Sequence, residues 1–300
     1  MVPLDGSELA ERALPCAERL ARLMGATLHL VRVAGPVFET TNSAVPETET
    51  ETELERDDAD FLVAEMRAAE AYLARVHDRL SAAGLAVHAQ RVSGTIAGAL
   101  LDYAREADID LVVLCSHGRT GLARFPLGSV AEHLLRHGTT PVLLVRAFGG
   151  PVTLERAVVP LDGSEQAEAA LGIVDQLARS VVREVTLVRV IETGGEGPAA
   201  DDYLERTALR LTREHLACGR QVAQGDPARV IIDAAGTDKL VIMATHGRTA
   251  PLRWALGSVA DRVTRGGAAA VLLVRVEVAP GTAAGDERAD PAQADPEASS

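Results

Sequence analysis

Three hundred residues, 47% of them hydrophobic, are enough for two domains, each with its own core. The net charge of −13 is confined to two segments: residues 36–60 hold nine acids and one arginine, and residues 277–300 hold six acids and one arginine, so the remainder is neutral. No basic patch with interleaved aromatics supports a nucleic-acid partner, no apolar run reaches the length of a membrane span, and no signal peptide opens the chain; Cys16, Cys115 and Cys218 form neither a metal-ligand spacing nor an even disulfide framework, which fits a reduced cytoplasm.

In chain order, residues 1–7 read as a strand end turning into a helix. The helix runs from about Glu8 to Met24, with Leu9, Ala13, Leu20 and Leu23 on its apolar face, and Gly25 ends it. Thr27–Val33 is a second strand. Residues 36–60, with their Glu-Thr alternation, read as an acidic flexible loop. A helix follows over about 59–83, a third strand over Leu85–Val92, a helix over Gly94–Glu106 and a fourth strand over Asp110–Leu114. After a glycine-bearing loop and another helix comes a fifth strand, Thr140–Arg146. Met1-Val2 leaves almost no first strand, so a few upstream residues are expected to be missing.

The pattern then repeats. Val158-Val159-Pro160-Leu161-Asp162-Gly163-Ser164-Glu165 matches the start of the chain, and Val185–Val190 matches Leu28–Val33. Leu240–Met243 matches Leu111–Leu114, and Val271–Arg275 matches Val142–Arg146. Two domains are expected, at 1–147 and 155–276, with a linker at 148–154 and a disordered acidic tail at 277–300. Near-continuous Val/Leu/Ile strands alternating with helices predict two tandem doubly wound α/β sandwich domains, each with a five-stranded parallel sheet.

The stretch Cys115-Ser116-His117-Gly118-Arg119-Thr120, followed by Gly128-Ser129-Val130, joins a buried strand to an amphipathic helix. It recurs as Ala244-Thr245-His246-Gly247-Arg248-Thr249 and Gly257-Ser258-Val259. Ser129 and Glu132 fit a capping box, with the helix starting at Ser129. Such a loop presents unpaired backbone N–H groups where a phosphate is best held. Asp5 and Asp162 end the first strand of each repeat. They serve as ligands, as N-caps of the following helix, or as both. If the first and fourth strands are neighbours across the topological switch point, aspartate and glycine loop face one crevice. No Gly-x-Ser-x-Gly elbow accompanies His117 or His246, which argues against a hydrolase triad. Cys115 sits where a thiol pKa can fall, and a packing role explains it as well, since the second copy has Ala244.

Val-Pro-Leu-Asp-Gly-Ser-Glu, the x-x-Gly-x9-Gly-Ser loop leading into Val-Ala-Glu/Asp, and the closing Pro-Val-Leu-Leu-Val together resemble the universal stress protein family, twice over. The resemblance implies a five-stranded parallel sheet of the adenine nucleotide alpha hydrolase-like kind and pairing through the last strand. It also implies, for one branch of the family, ATP binding. On that basis the site residues are Pro3, Leu4, Asp5, Val33, Cys115, Gly118, Gly128, Ser129 and Val130 in the first repeat. In the second they are Pro160, Leu161, Asp162, Val190, Ala244, Gly247, Gly257, Ser258 and Val259. Asp5 would meet ribose or adenine, Val33 adenine, and the glycines with Ser129 and Val130 the phosphates and ribose. The family's first glycine is replaced by Cys115 and Ala244.

The resulting expectation is a cytoplasmic stress-response module that binds ATP, with magnesium, or a related adenine nucleotide in one or both domains. No general base, metal cluster or Walker-type lysine supports catalysis beyond slow, incidental hydrolysis. The alternative is a scaffold of the same fold that binds no nucleotide. The two last strands, Val142–Val145 and Val271–Val274, are expected to pair within the chain, because each would otherwise expose an apolar edge; a homodimer could form by further pairing.

Overall fold

The computed structural model describes residues 1–35, 49–116, 128–147, 152–191, 196–211, 216–246 and 256–275, with backbone alone for 49–59 and 116. The first repeat consists of β1 (Val2–Pro3), α1 (Glu8–Glu11), α2 (Leu14–Met24), β2 (Leu28–Val33) and α3 (Glu49–Ala82). It continues with β3 (Val87–Val92), α4 (Ile96–Glu106), β4 (Val112–Ser116), α5 (Ser129–His137) and β5 (Val142–Arg146). The second consists of β6 (Thr153–Pro160), α6 (Glu165–Ala178), β7 (Glu184–Ile191), α7 (Gly197–Leu211) and β8 (Ala217–Gln224). It ends with α8 (Pro227–Ala235), β9 (Lys239–Ala244), α9 (Ser258–Gly266) and β10 (Val271–Val274).

The second repeat orders its parallel strands β8-β7-β6-β9-β10. The first has the same order. β1, β2 and β3 pair in parallel, as do β4 and β5. The Val113 amide donates to the Met1 carbonyl at 2.9 Å and so joins β4 to β1. With two residues, β1 is too short to extend this into a full ladder, whereas the eight-residue β6 pairs with both neighbours.

β5 and β10 then pair antiparallel, Leu143 opposite Leu272, and the two sheets run on as one. Period-two alternation explains the two cores. Leu28, Leu30, Leu143, Leu187 and Leu272 bury toward one layer of helices. Val31, Val112, Val142, Val188 and Val271 bury toward the other. Both cores cross the seam, so neither repeat ends in an exposed apolar edge.

Two arginines lock the seam. Arg146, at the end of β5, donates to Ala269 O at 3.3 Å and to the Val263 and Thr264 carbonyls at the end of α9. Its counterpart Arg275 donates to Gly138 O at 2.9 Å, just past α5. Each cation thus meets the negative end of the other repeat's last helix.

Four details depart from the sequence reading. The helix expected over Glu8–Met24 is broken at Arg12–Ala13 into α1 and α2. Pro15 lacks the N–H that would bond to Glu11, and its ring crowds that carbonyl. The acidic stretch is not loop throughout, since α3 begins at Glu49. Glutamate is a strong helix former, and acids are favoured in a first turn. Thr153 and Leu154 belong to β6 rather than to the linker, and Leu154 is fully buried. Ser129 does open α5, but the N-cap is Gly128 and no side chain caps it, so there is no capping box. Residues 36–48 and the tail over 277–300 lie outside the described residues.

Candidate functional site

The parallel strand order puts the switch point between β1 and β4, and between β6 and β9. Leu4 N bonds to Val31 O and Leu161 N to Val188 O, each at 2.8 Å, and these bonds hold the chain in sheet geometry up to the aspartate. The Leu4 and Leu161 side chains are buried, so only their backbone faces the crevice. Pro3, Pro160, Val33 and Val190 are half-buried at the same strand ends.

Asp5 and Asp162 are not the caps. Ser7 caps α1 by accepting from Ala10 N, and Ser164 caps α6 by accepting from Ala167 N, both at 3.1 Å. Each aspartate instead accepts from the serine amide two residues on, at 2.8 and 3.0 Å, in an Asx turn. Burial alone would raise the Asp5 pKa, but hydrogen bonds from the Ser7 hydroxyl and amide, helped by the charge of Arg32, hold it below the usual carboxylate value. The pattern places the aspartate ahead of the cap because Gly6 takes φ +89°, which turns the chain so that serine reaches the helix end.

Across the crevice, Cys115 lies in β4 opposite Val145, and Ala244 in β9 opposite Val274. Both have ordinary strand φ, since Asp108 is the one non-glycine residue at positive φ among the described residues. Replacing glycine at these two positions therefore costs no backbone strain. Burial pushes the Cys115 thiol up to about 11, and the opposing effects of Arg12 and Arg146 are smaller. The expectation of a lowered thiol pKa is thus corrected: desolvation outweighs the charges of Arg12 and Arg146.

The loops between, residues 117–127 and 247–255, lie outside the described residues, and with them Gly118 and Gly247. Their far ends are described. Gly128 precedes α5 at φ −54° with open space where a Cβ would stand. Gly257 precedes α9, and its amide donates to Thr245 O at 2.7 Å, tying the loop's exit to its entrance. Thr245 is buried, and its hydroxyl lies 3.0 Å from His246 Nδ1. The first intrahelical bonds run from Glu132 and Asp261 back to these glycines. The amides of Ser129 and Val130, and of Ser258 and Val259, precede them and point out of the helix N-terminus with no side-chain cap. The arrangement is suited to holding an anion beside an aspartate.

One cluster escaped the sequence reading. Tyr72 donates to Glu11 at 2.9 Å, and the Arg32 guanidinium lies over its ring at 5.2 Å. The second repeat reproduces it: Tyr203 donates to Glu168 at 3.0 Å, and Arg189 lies over that ring at 5.0 Å. Burial and the Glu168 hydrogen bond push the Tyr203 pKa up to about 12. The repeated Val-Arg-Val was visible in sequence, but the tyrosines sit far from it along the chain, so no local pattern links them.

Among the described residues no helix is long and apolar enough to cross a membrane, and no group of three His, Cys, Asp or Glu could hold a metal.

The universal stress protein family model matches residues 1–146 and again 153–275. A universal stress protein of Mycolicibacterium smegmatis is 28% identical over 92% of this chain and 96% of its own length. YxiE of Bacillus subtilis is 30% identical over 49% of this chain and 97% of its own length. A universal stress protein structure from Archaeoglobus fulgidus aligns over 91% of this chain and 97% of that one with a TM-score of 0.70; at 18% identity it shows the fold alone. With the family's pattern matched in both halves, on a sheet order that is the same in both, the chain belongs to the universal stress protein family as a tandem two-domain member.

Proposed function

We propose that the protein holds ATP or a related adenine nucleotide in one or both repeats and acts as a regulatory stress-response module of the cytoplasm rather than as a catalyst. The observation that carries this reading is the adjacency of β1 with β4 and of β6 with β9, which sets each aspartate turn beside the strand that precedes α5 or α9, whose N-termini carry no side-chain cap. Asp5 and Asp162 would meet ribose or base, Val33 and Val190 the base, and Gly128, Ser129, Val130, Gly257, Ser258 and Val259 the phosphates. The described residues offer no resident metal cage, so magnesium would arrive on the phosphates of ATP. A homodimer would need a surface other than the β5 and β10 edges, which pair with each other.

Isothermal titration with ATP and magnesium tests the reading, repeated on Gly128→Ala and Gly257→Ala. Gly128→Ala is the cleaner probe, because its Cβ meets nothing among the described residues. Saturable binding weakened by each substitution supports the reading, and stoichiometry counts the working sites. No heat and no thermal shift, from folded and ligand-free protein, rejects it.

A second reading, a scaffold that binds no nucleotide, is favoured by Cys115 and Ala244 standing where the ATP-binding pattern has glycine. Cys115→Gly and Ala244→Gly discriminate: nucleotide affinity gained by either substitution supports the scaffold reading of the natural chain.

A further inference from the structure

Arg32 and Arg189 stand apart from most arginines of the structure. Neither forms an ion pair or hydrogen bond among the described residues, although Arg91, Arg136, Arg210 and Arg262 all do. Each guanidinium carbon lies over the ring of a tyrosine, 5.2 and 5.0 Å from its centre, and each tyrosine hydroxyl is fixed by a glutamate. A cation–π contact holds the cation without using its N–H donors. Both arginines are half-buried at the carboxyl ends of β2 and β7, one residue before Val33 and Val190. Arg32 Nη1 lies only 3.1 Å from where a Cβ on Gly6 would stand, so the guanidinium packs against the Asp5 turn itself.

β2 is separated from β4 by β1 alone, and strands are about 4.8 Å apart, so the arginine stands about 10 Å from the strand that precedes α5 in the chain. A nucleotide laid along the strand ends, with its 5′ phosphate at α5, reaches β2 with its ribose or base. A planar cation with no hydrogen bond among the described residues fits a phosphate there better than it fits a neutral base.

We propose that Arg32 and Arg189 each bind a second phosphate carried on the ribose, at the 2′ or 3′ oxygen, so that the crevice takes adenine nucleotides phosphorylated at both the 5′ position and the ribose. This rests on the nucleotide reading above. The first repeat has the stronger version, because Arg75 also lies against Tyr72, at 5.6 Å, and Arg79 lies 3.7 Å from Glu11.

The test is titration of the full chain with AMP, adenosine 3′,5′-bisphosphate and adenosine 2′,5′-bisphosphate, repeated on Arg32→Gln, Arg189→Gln and the double variant. One bisphosphate is expected to bind about 10-fold more tightly than AMP, the size of one charge-assisted contact. The double variant is expected to lose that gain while AMP affinity and thermal stability hold. A purely structural role for the arginines would lower AMP affinity and stability along with it, and overturns the proposal. So does AMP or ATP binding with no gain from a ribose phosphate, or a gain that survives in the double variant, and both leave the nucleotide reading intact. If none of the nucleotides, ATP included, binds, both fall together.

Discussion

Gly138→Ala tests the seam between the repeats. Gly138 follows α5 with φ −88°, a conformation that alanine adopts freely, so the backbone imposes no penalty. Space does. A Cβ there would stand 2.7 Å from Leu134 O and 2.9 Å from Leu101 Cδ2. The leucine side chain can swing, but the carbonyl cannot, because it already accepts the Gly138 amide at 2.8 Å and closes the helix. The residue must therefore shift, and its own carbonyl moves with it, away from Arg275 of the second repeat at 2.9 Å. Overpacking of this kind costs about 1–3 kcal/mol. The stiffer unfolded chain returns about 0.4–1 kcal/mol, which leaves a net loss of roughly 1–2 kcal/mol. The control is Gly128→Ala, at an N-cap with open space, where weaker capping and reduced unfolded-state freedom offset each other to within about 0.5 kcal/mol. Urea denaturation of both variants beside the parent is the assay. Equal midpoints for the two substitutions would refute the claim that close packing at the seam, rather than chain flexibility, requires glycine at Gly138.

Three further outcomes follow from the same physics. Arg146→Met strips the guanidinium from the carbonyls of Val263, Thr264 and Ala269 that it serves, and about 1.5–3 kcal/mol is expected to be lost, with the second repeat unfolding earlier as well as the first; denaturation followed by the single tryptophan and by circular dichroism checks this. Cys115, pushed up to about 11, and Cys16, pushed up to about 12, should react with iodoacetamide at pH 8 roughly two and three orders of magnitude more slowly, respectively, in the folded chain than in guanidinium, measured by mass spectrometry; a fast Cys115 would contradict its desolvation. Asp5 has a depressed pKa, so its contribution to stability is complete above the ordinary aspartate value of about 3.9 and is lost as the pH falls through the lower folded value. Asp5→Asn should therefore flatten the acid limb of the stability profile below about pH 4 and leave its shape at neutral pH unchanged.

Much of the architecture was legible in the linear chain. The Val/Leu/Ile runs announced strands buried on both faces, and the repeated Pro-Leu-Asp-Gly-Ser and Gly-Ser-Val-Ala announced two copies of one unit. These features are local: a strand run, a turn glycine and a cap each act within a few residues. Gly25 ends α2 at φ 63° as its sequence context requires. Where the reading failed, a non-local or a competing local effect prevailed. Pro15 broke a helix whose apolar periodicity ran straight through it. Helix propensity carried α3 back to Glu49 through residues that their composition marked as loop.

Which capping residue would act was undecided by sequence, because Asp5 and Ser7 both suit the role; only the φ of Gly6 determined that serine caps and aspartate turns. The direction of the Cys115 shift was likewise beyond the sequence, since burial depends on what packs across β4 and β5. The sequence by itself determined the strands, the repeat and the candidate loops, because hydrophobic period and turn chemistry are properties of short segments. Only the tertiary structure decided the strand order that joins each aspartate to its loop, the crossed arginines at the seam, and the stacking of Arg32 on Tyr72 and Arg189 on Tyr203, because those depend on which distant segments come to share a surface.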